Sequence, residues 1–256
     1  MTELITYTID ADHVALVTMN NPPVNAQNGQ FYEEMIQVMD ALSDMPACRA
    51  IVLIGAGKVF SAGADMRARV AVGATPGDKW AHNRRARESF HAIRECKKPV
   101  VGALNGPALG AGLGVAASCD ILVAAEEACL GLPEINVGLM GGGKHAQRLF
   151  GHSTLRRMML TGYRVPGLEL YRLGVVEACV PREKLLECAM GFGRDLASKS
   201  PFTMRLAKET LNAIEDMTLR DGYRYEQNMT VQLRDHPDSK EAAAAFFEKR
   251  PAKYSE

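Results

Sequence analysis

The chain has 256 residues, enough for one large α/β domain, or a main domain with an appendage, that buries its core without disulfides or metal. Thirty basic and thirty acidic residues cancel without any run of like charge, which argues against a nucleic-acid or membrane-surface partner recognised by charge. Six cysteines with no C-x-x-C read as reduced core thiols of a cytoplasmic protein, and neither a signal-like N-terminus nor a run of membrane-spanning length is visible.

Leu4 to Ile9 and His13 to Met19 alternate around Asp10-Ala11-Asp12, which predicts an opening β-hairpin ended by Asn20-Asn21-Pro22-Pro23. A helix is expected next, capped near Asn28, with Phe31, Met35, Val38, Met39 and Leu42 on its apolar stripe. Ala50 to Ile54 is apolar throughout, as in a strand covered on both faces, and it delivers the glycine-bearing loop from Gly55 to Asp65. Residues 66–80 lack a clean period and read as a mobile loop. A helix from about Asn83 to Lys97 then leads into a strand over Pro99 to Leu104.

The rhythm repeats from Asn105 to Glu134: a glycine-stepped turn, a helix of small residues, an apolar strand and one acid. Further helices are expected from about Lys144 and Ser153, and the chain beyond residue 160 reads as largely helical. Strands first and helices later predict an α/β core with a helical C-terminal layer, divided between residues 190 and 200.

Two nucleotide-binding readings fail on single positions. A G-x-G-x-x-G fingerprint starting at Gly110 requires glycine where the chain has Val115. Gly138 to His145 matches a phosphate loop until His145 stands in place of the magnesium-binding Ser or Thr, so a turn that lets a helix pack closely is the better reading. Ser61 and Ser118 lack a G-x-S-x-G elbow, the scattered histidines form no metal-ligand pair, and Asp120 reads as a cap or turn residue. Ser61 to Asp65 and Leu109 to Gly112 remain: two bare loops after strands that, side by side, would aim two backbone N–H groups at one oxygen.

At these residues the chain resembles the crotonase superfamily of enoyl-CoA hydratases and isomerases. The matching segments are Asn21 to Ala26, Phe60 to Asp65, Asn105 to Gly112, Cys119 to Ile121 and Pro133 to Gly138, with Gln147 to Leu149 and Phe247 to Arg250 further on. The resemblance implies a spiral of stacked ββα units over residues 1–195, a helical oligomerisation region over 196–256, and homotrimers or dimers of trimers. It implies an acyl-CoA substrate, with coenzyme A as part of that substrate and no separate cofactor or metal. The thioester oxygen would be held by the N–H groups of Ala64 and Ala111. Val24, Ala62, Asp65, Met66 and Gly110 would contact CoA or substrate, as would Phe247 and Lys249 from a neighbouring copy.

Family hydratases commonly carry two glutamates. The first of those positions is Gly114 here, the second is Glu134, and a third acid place used by some dehalogenating members is Gly142. One carboxylate suits a 1,3-proton shift, which needs a single group to take a proton and return it elsewhere, better than it suits water addition, for which an acid and a base are convenient. The expectation is therefore double-bond isomerisation by Glu134, with hydration, thioester hydrolysis and turnover-free CoA binding as alternatives. Residues 66–90, with Trp80 and Phe90, are candidates for the acyl pocket.

Overall fold

A computed structural model of the chain describes residues 3–70, 73 and 75–254. The opening alternation becomes β1 (Ile5–Ile9) and β2 (Val14–Met19), paired antiparallel with Tyr7 opposite Val17. A two-residue strand β3 (Ala26–Gln27) follows, then α1 (Gly29–Asp44), where the Asn28 side chain accepts a hydrogen bond from Phe31 N as an N-cap. The long-strand, short-strand, helix unit then recurs. β4 (Ala50–Gly55) and β5 (Gly63–Ala64) precede α2 (Met66–Val70) and α3 (Pro76–Glu95), and β6 (Val100–Leu104) and β7 (Ala108–Leu109) precede α4 (Ala111–Ser118). β8 (Ile121–Ala125) and β9 (Cys129–Gly131) lead into a 3-10 turn, Pro133–Val137, followed by α5 (Gly143–Gln147) and α6 (His152–Thr161).

The long strands form one sheet in the order β1-β2-β4-β6-β8, parallel from β2 onward, while the short ones pair among themselves. This is the crotonase-like ββα spiral that the resemblance implies, and its repeat has a simple cause. β4, β6 and β8 are apolar and buried on both faces and run parallel, so each connection must cross over a face of the sheet, and a helix does this with its backbone hydrogen bonds satisfied.

One expectation needs correction. The stretch 66–80 holds α2, and α3 starts at Pro76, seven residues before the predicted Asn83; residues 71, 72 and 74 of that loop assignment lie outside the described residues. The early start is a capping box with proline in the first turn: Thr75 Oγ1 accepts from Asp78 N at 3.2 Å, and Thr75 N donates back to the Asp78 carboxylate at 3.3 Å. Beyond residue 160 the chain is largely helical, as expected, with two short strands among the helices. β10 (Arg164–Pro166) pairs with β9, α7 (Gly167–Arg172) follows, and β11 (Ala178–Val180) adds a sixth strand beside β8. A three-residue strand is too short to announce itself by period, and its partner β8 lies some fifty residues earlier in the chain.

One core lies between the sheet and α1, α3 and α4, filled by Phe31, Met35, Met39, Leu53, Phe60 and Leu113 among others. The opposite face is covered by α8 (Arg182–Ala197), whose Leu185 and Ala189 pack on Val14, Val52 and Val101. All six cysteines are free. Burial is the first cause that pushes the Cys48 thiol up to about 11 and the Cys119 thiol to about 12, so neither is poised as a nucleophile.

The C-terminal helices are α9 (Pro201–Ile214), α10 (Leu219–Arg234) and α11 (Pro237–Glu248). α9 is tied to the sheet by Lys208, only 6% exposed, whose Nζ donates to the carbonyls of Ile93 at 3.1 Å and Lys98 at 3.0 Å and pairs with Asp120 Oδ2 at 2.8 Å. The same Asp120 oxygen accepts Val100 N at 2.7 Å, so this acid ties α9 to the start of β6, in line with its structural reading. Lys208→Ala is expected to lower unfolding free energy by about 3 kcal/mol, the lower end for a broken buried pair because Asp120 keeps 26% exposure. Urea unfolding measures this, and a loss under about 1 kcal/mol would show the pair behaving as an exposed one.

Candidate active site

Asn25 and Asn105 shape the loops that reach the site. Asn25, at φ 53° and 2% exposed, donates through Nδ2 to the carbonyls of Ala56 (3.0 Å), Val59 (2.8 Å) and Phe60 (3.2 Å). Asn105 accepts Gly55 N at 3.1 Å and donates to Gly57 O at 3.0 Å. Sequence reasoning included both in matching motifs without assigning them a task. Their task is to satisfy backbone groups of a loop that has no ladder partner.

The first loop is stitched to the second. Leu109 N donates to Ser61 O at 3.0 Å and Ser61 N to Pro107 O at 3.2 Å, which makes a parallel bridge between Ser61 and Ala108. Ser61 is fully buried, and its hydroxyl donates to Asn25 O at 2.7 Å and accepts from Gln27 Nε2 at 3.0 Å, which makes it a strut. Ser118 likewise donates to Gly114 O at 2.8 Å. Gly63, at φ +93°, lies so close to the second loop that a methyl group on it would fall 2.5 Å from Leu109 O and 3.1 Å from Ala111 N. Ala64 and Ala111 therefore stand on adjoining backbones, each half-buried, with Ala111 as the first residue of α4.

Glu134 arrives by a parallel route. β7 and β9 run side by side, Leu109 opposite Gly131, and Gly110 N donates to Gly131 O at 2.9 Å. β7 then delivers Gly110 and Ala111, while β9 delivers the 3-10 turn that carries Glu134. The carboxylate lies over Gly110, where a methyl group would be 2.5 Å from Oε1, and Oε2 is shielded from solvent. Gly110 takes φ +55°, so absence of a side chain serves both its backbone conformation and this approach.

The two empty acid places differ. Gly114 sits one turn along α4 from Gly110, its N–H bonded to Gly110 O at 3.1 Å, and the Phe90 ring covers it: a methyl there would meet Cζ at 3.1 Å and Cε2 at 3.2 Å. Gly142, at φ +72°, would place a methyl 2.8 Å from Leu132 Cδ2. Gly138 and Gly142 both take positive φ on the approach to α5, and of the two only Gly142 is closely packed, since a methyl on Gly138 would meet nothing within 4 Å. His145, in α5, meets the Phe90 ring edge-on at 5.1 Å. Burial first, then the positive charge of His91, Arg148 and Arg94, holds its imidazole below the usual range.

Of the remaining site candidates, Val24 lends its carbonyl to Ala62 N at 2.9 Å, and Ala62 is itself exposed. The Asp65 side chain caps α2, accepting Arg67 N at 2.8 Å and Ala68 N at 3.2 Å, and Met66 is 47% exposed beside it. Phe247 and Lys249 stand outside this cluster at the end of α11, which packs on α9 and α10, and Phe247 is 81% exposed. Trp80 projects from α3 with 69% exposure, whereas Phe90 is buried.

Comparison with known proteins gives the family and the fold. The family model described as enoyl-CoA hydratase/isomerase matches residues 10–256. Over 252 residues the chain is 36% identical to a Thermus thermophilus protein provisionally named an enoyl-CoA hydratase, covering 96% of this chain and 99% of that one. It is 33% identical over 229 residues to a Rhodococcus jostii protein named (7aS)-7a-methyl-1,5-dioxo-2,3,5,6,7,7a-hexahydro-1H-indene-carboxyl-CoA hydrolase, covering 90% and 88%. The crystal structure of an enoyl-CoA hydratase from Bacillus anthracis superposes with a TM-score of 0.92 at 29% identity, covering 98% of each chain.

Proposed function

Because the chain belongs to the enoyl-CoA hydratase/isomerase family, also known as the crotonase superfamily, we propose that it shifts the double bond of an enoyl-CoA thioester by proton transfer through Glu134. The N–H groups of Ala64 and Ala111 bind the thioester oxygen and stabilise the negative charge that develops there. Glu134 removes a proton from C2 of a 3-enoyl-CoA, the electron pair spreads over the dienolate, and the same carboxyl returns the proton at C4. The product is the conjugated 2-enoyl-CoA, with no change in oxidation level and no group lost. Coenzyme A is part of the substrate, so no separate cofactor enters.

The observation that carries this reading is the Glu134 carboxylate over Gly110, next to Ala111 in the chain, with the Phe90 ring over Gly114. Val24, Ala62, Asp65 and Met66 line the proposed route of the CoA moiety from the first loop outward. Phe247 and Lys249 contribute to it from a neighbouring copy in a homotrimer or dimer of trimers. The exposed side chains of Phe246, Phe247, Leu219 and Tyr223 on the C-terminal helices support such an assembly. Among the described residues no helix is long and apolar enough to cross a membrane.

A second reading, hydrolysis of an acyl-CoA, is favoured by the name of the Rhodococcus jostii relative and by the ability of one carboxylate to activate water. Purified protein given 3-enoyl-CoA, 2-enoyl-CoA and saturated acyl-CoA separates the readings. Conjugated product from the first substrate is expected. Rapid 3-hydroxyacyl-CoA formation from the second would assign a hydratase, and free thiol from the third would assign a thioesterase.

A further inference from the structure

Glu134 and Phe90 lie against two glycines one turn apart at the start of α4. The carboxylate covers Gly110, the ring covers Gly114, and the hydrogen bond from Gly114 N to Gly110 O fixes these residues one turn apart. Gly110 is the N-cap of α4, at φ +55°, and Gly114 is bonded back to it, so the ring stands one helical turn from the seat of the Glu134 carboxylate. Phe90 is held there by its place on the buried stripe of α3 with Ser89 and Ile93, by the packing of α3 on α4, and by the edge of His145. It is 9% exposed, against 69% for Trp80 on the same helix.

We infer that Phe90 is the specificity-determining residue of this site: its ring, seated on Gly114 beside Glu134, closes the acyl-binding space with an apolar wall where a second acid would otherwise project, limiting the size of the acyl group and keeping water from it. This rests on the acyl-CoA reading above and goes beyond it, since it assigns the reaction's selectivity to a residue on α3 that no acid-base role requires. The physical basis is local. An aromatic ring against a glycine leaves no polar atom to anchor water, and the closest ring atom, Cζ, stands 3.1 Å from where a β-carbon on Gly114 would be.

The test compares wild type, Phe90→Ala and Phe90→Leu for two quantities: the ratio of 2-enoyl-CoA hydration to 3-enoyl-CoA isomerisation, and the Kd for butyryl-CoA against cyclohexanecarbonyl-CoA. Phe90→Ala is expected to raise the hydration ratio at least about tenfold and to improve relative affinity for the bulkier acyl group by about tenfold or more. Phe90→Leu, which keeps an apolar wall, is expected to leave the ratio within about twofold of wild type. If Phe90→Ala does not fold, Phe90→Val with the two affinities decides, because a smaller wall must still widen the acyl preference. A folded alanine or valine variant with unchanged acyl preference and unchanged ratio would overturn the inference while Glu134-dependent turnover of wild type leaves the functional reading standing. Wild type that binds no acyl-CoA would overturn both.

Discussion

Glu134→Gln is expected to lower kcat by about 10²–10⁴-fold, the range for loss of a positioned general base, with KM changed little and the fold intact. Glutamine keeps the size of the side chain and its place over Gly110, so the approach of the carboxyl group to the α4 terminus is preserved in shape. What disappears is a group able to accept a proton at C2 and give it back at C4. Steady-state kinetics on 3-enoyl-CoA, with circular dichroism as the check on folding, measure the effect. Full turnover by the variant would sink the one-carboxylate mechanism, and an equal rise in KM would mean that Glu134 serves binding instead.

The second large effect is expected from Gly63→Ala. The residue sits at φ +93°, which an L side chain adopts only under strain, and its methyl would press on Leu109 O at 2.5 Å and Ala111 N at 3.1 Å. Either the Ala64 backbone or the Ala111 backbone must move, so the proposed convergence of their N–H groups on the thioester oxygen is lost. A kcat loss of about 10²–10³-fold is expected, comparable to losing one oxyanion donor, together with about 1–3 kcal/mol of stability from strain. Gly57→Ala is the control, since Gly57 also has positive φ (+74°) but nothing within 4 Å of the added methyl. It should lose stability alone. Equal activity in both variants would show that the contact between the loops has no part in catalysis.

Much of the fold is legible along the chain because it is written in local chemistry. Apolar strands of about five residues, each followed by a glycine-bearing turn and a helix, predict the repeating unit, and Asn28 announces α1 by its cap. Thr75-Pro76-Gly77-Asp78 is equally local, a capping box whose reciprocal bonds start α3, yet the polar composition of the surrounding stretch conceals it. β10 and β11 are hidden for a different reason: short strands owe their existence to partners supplied by β9 and β8.

For the candidate site, sequence alone determined the chemical inventory: an acid at Glu134, glycine at Gly114 and Gly142, where the family resemblance implies places for other acids, and two loops bare enough to offer backbone donors. Tertiary structure alone decided how that inventory is arranged. Parallel pairing of β7 with β9 sets the Glu134 carboxylate over Gly110, and the Ser61–Ala108 bridge draws the first loop against the second. It also decided what fills the missing acid's place. An absent side chain is visible in the sequence, but the volume it leaves is occupied by whatever packs against it, here Phe90 from a helix earlier in the chain, and close packing of a folded interior is a property of no single segment.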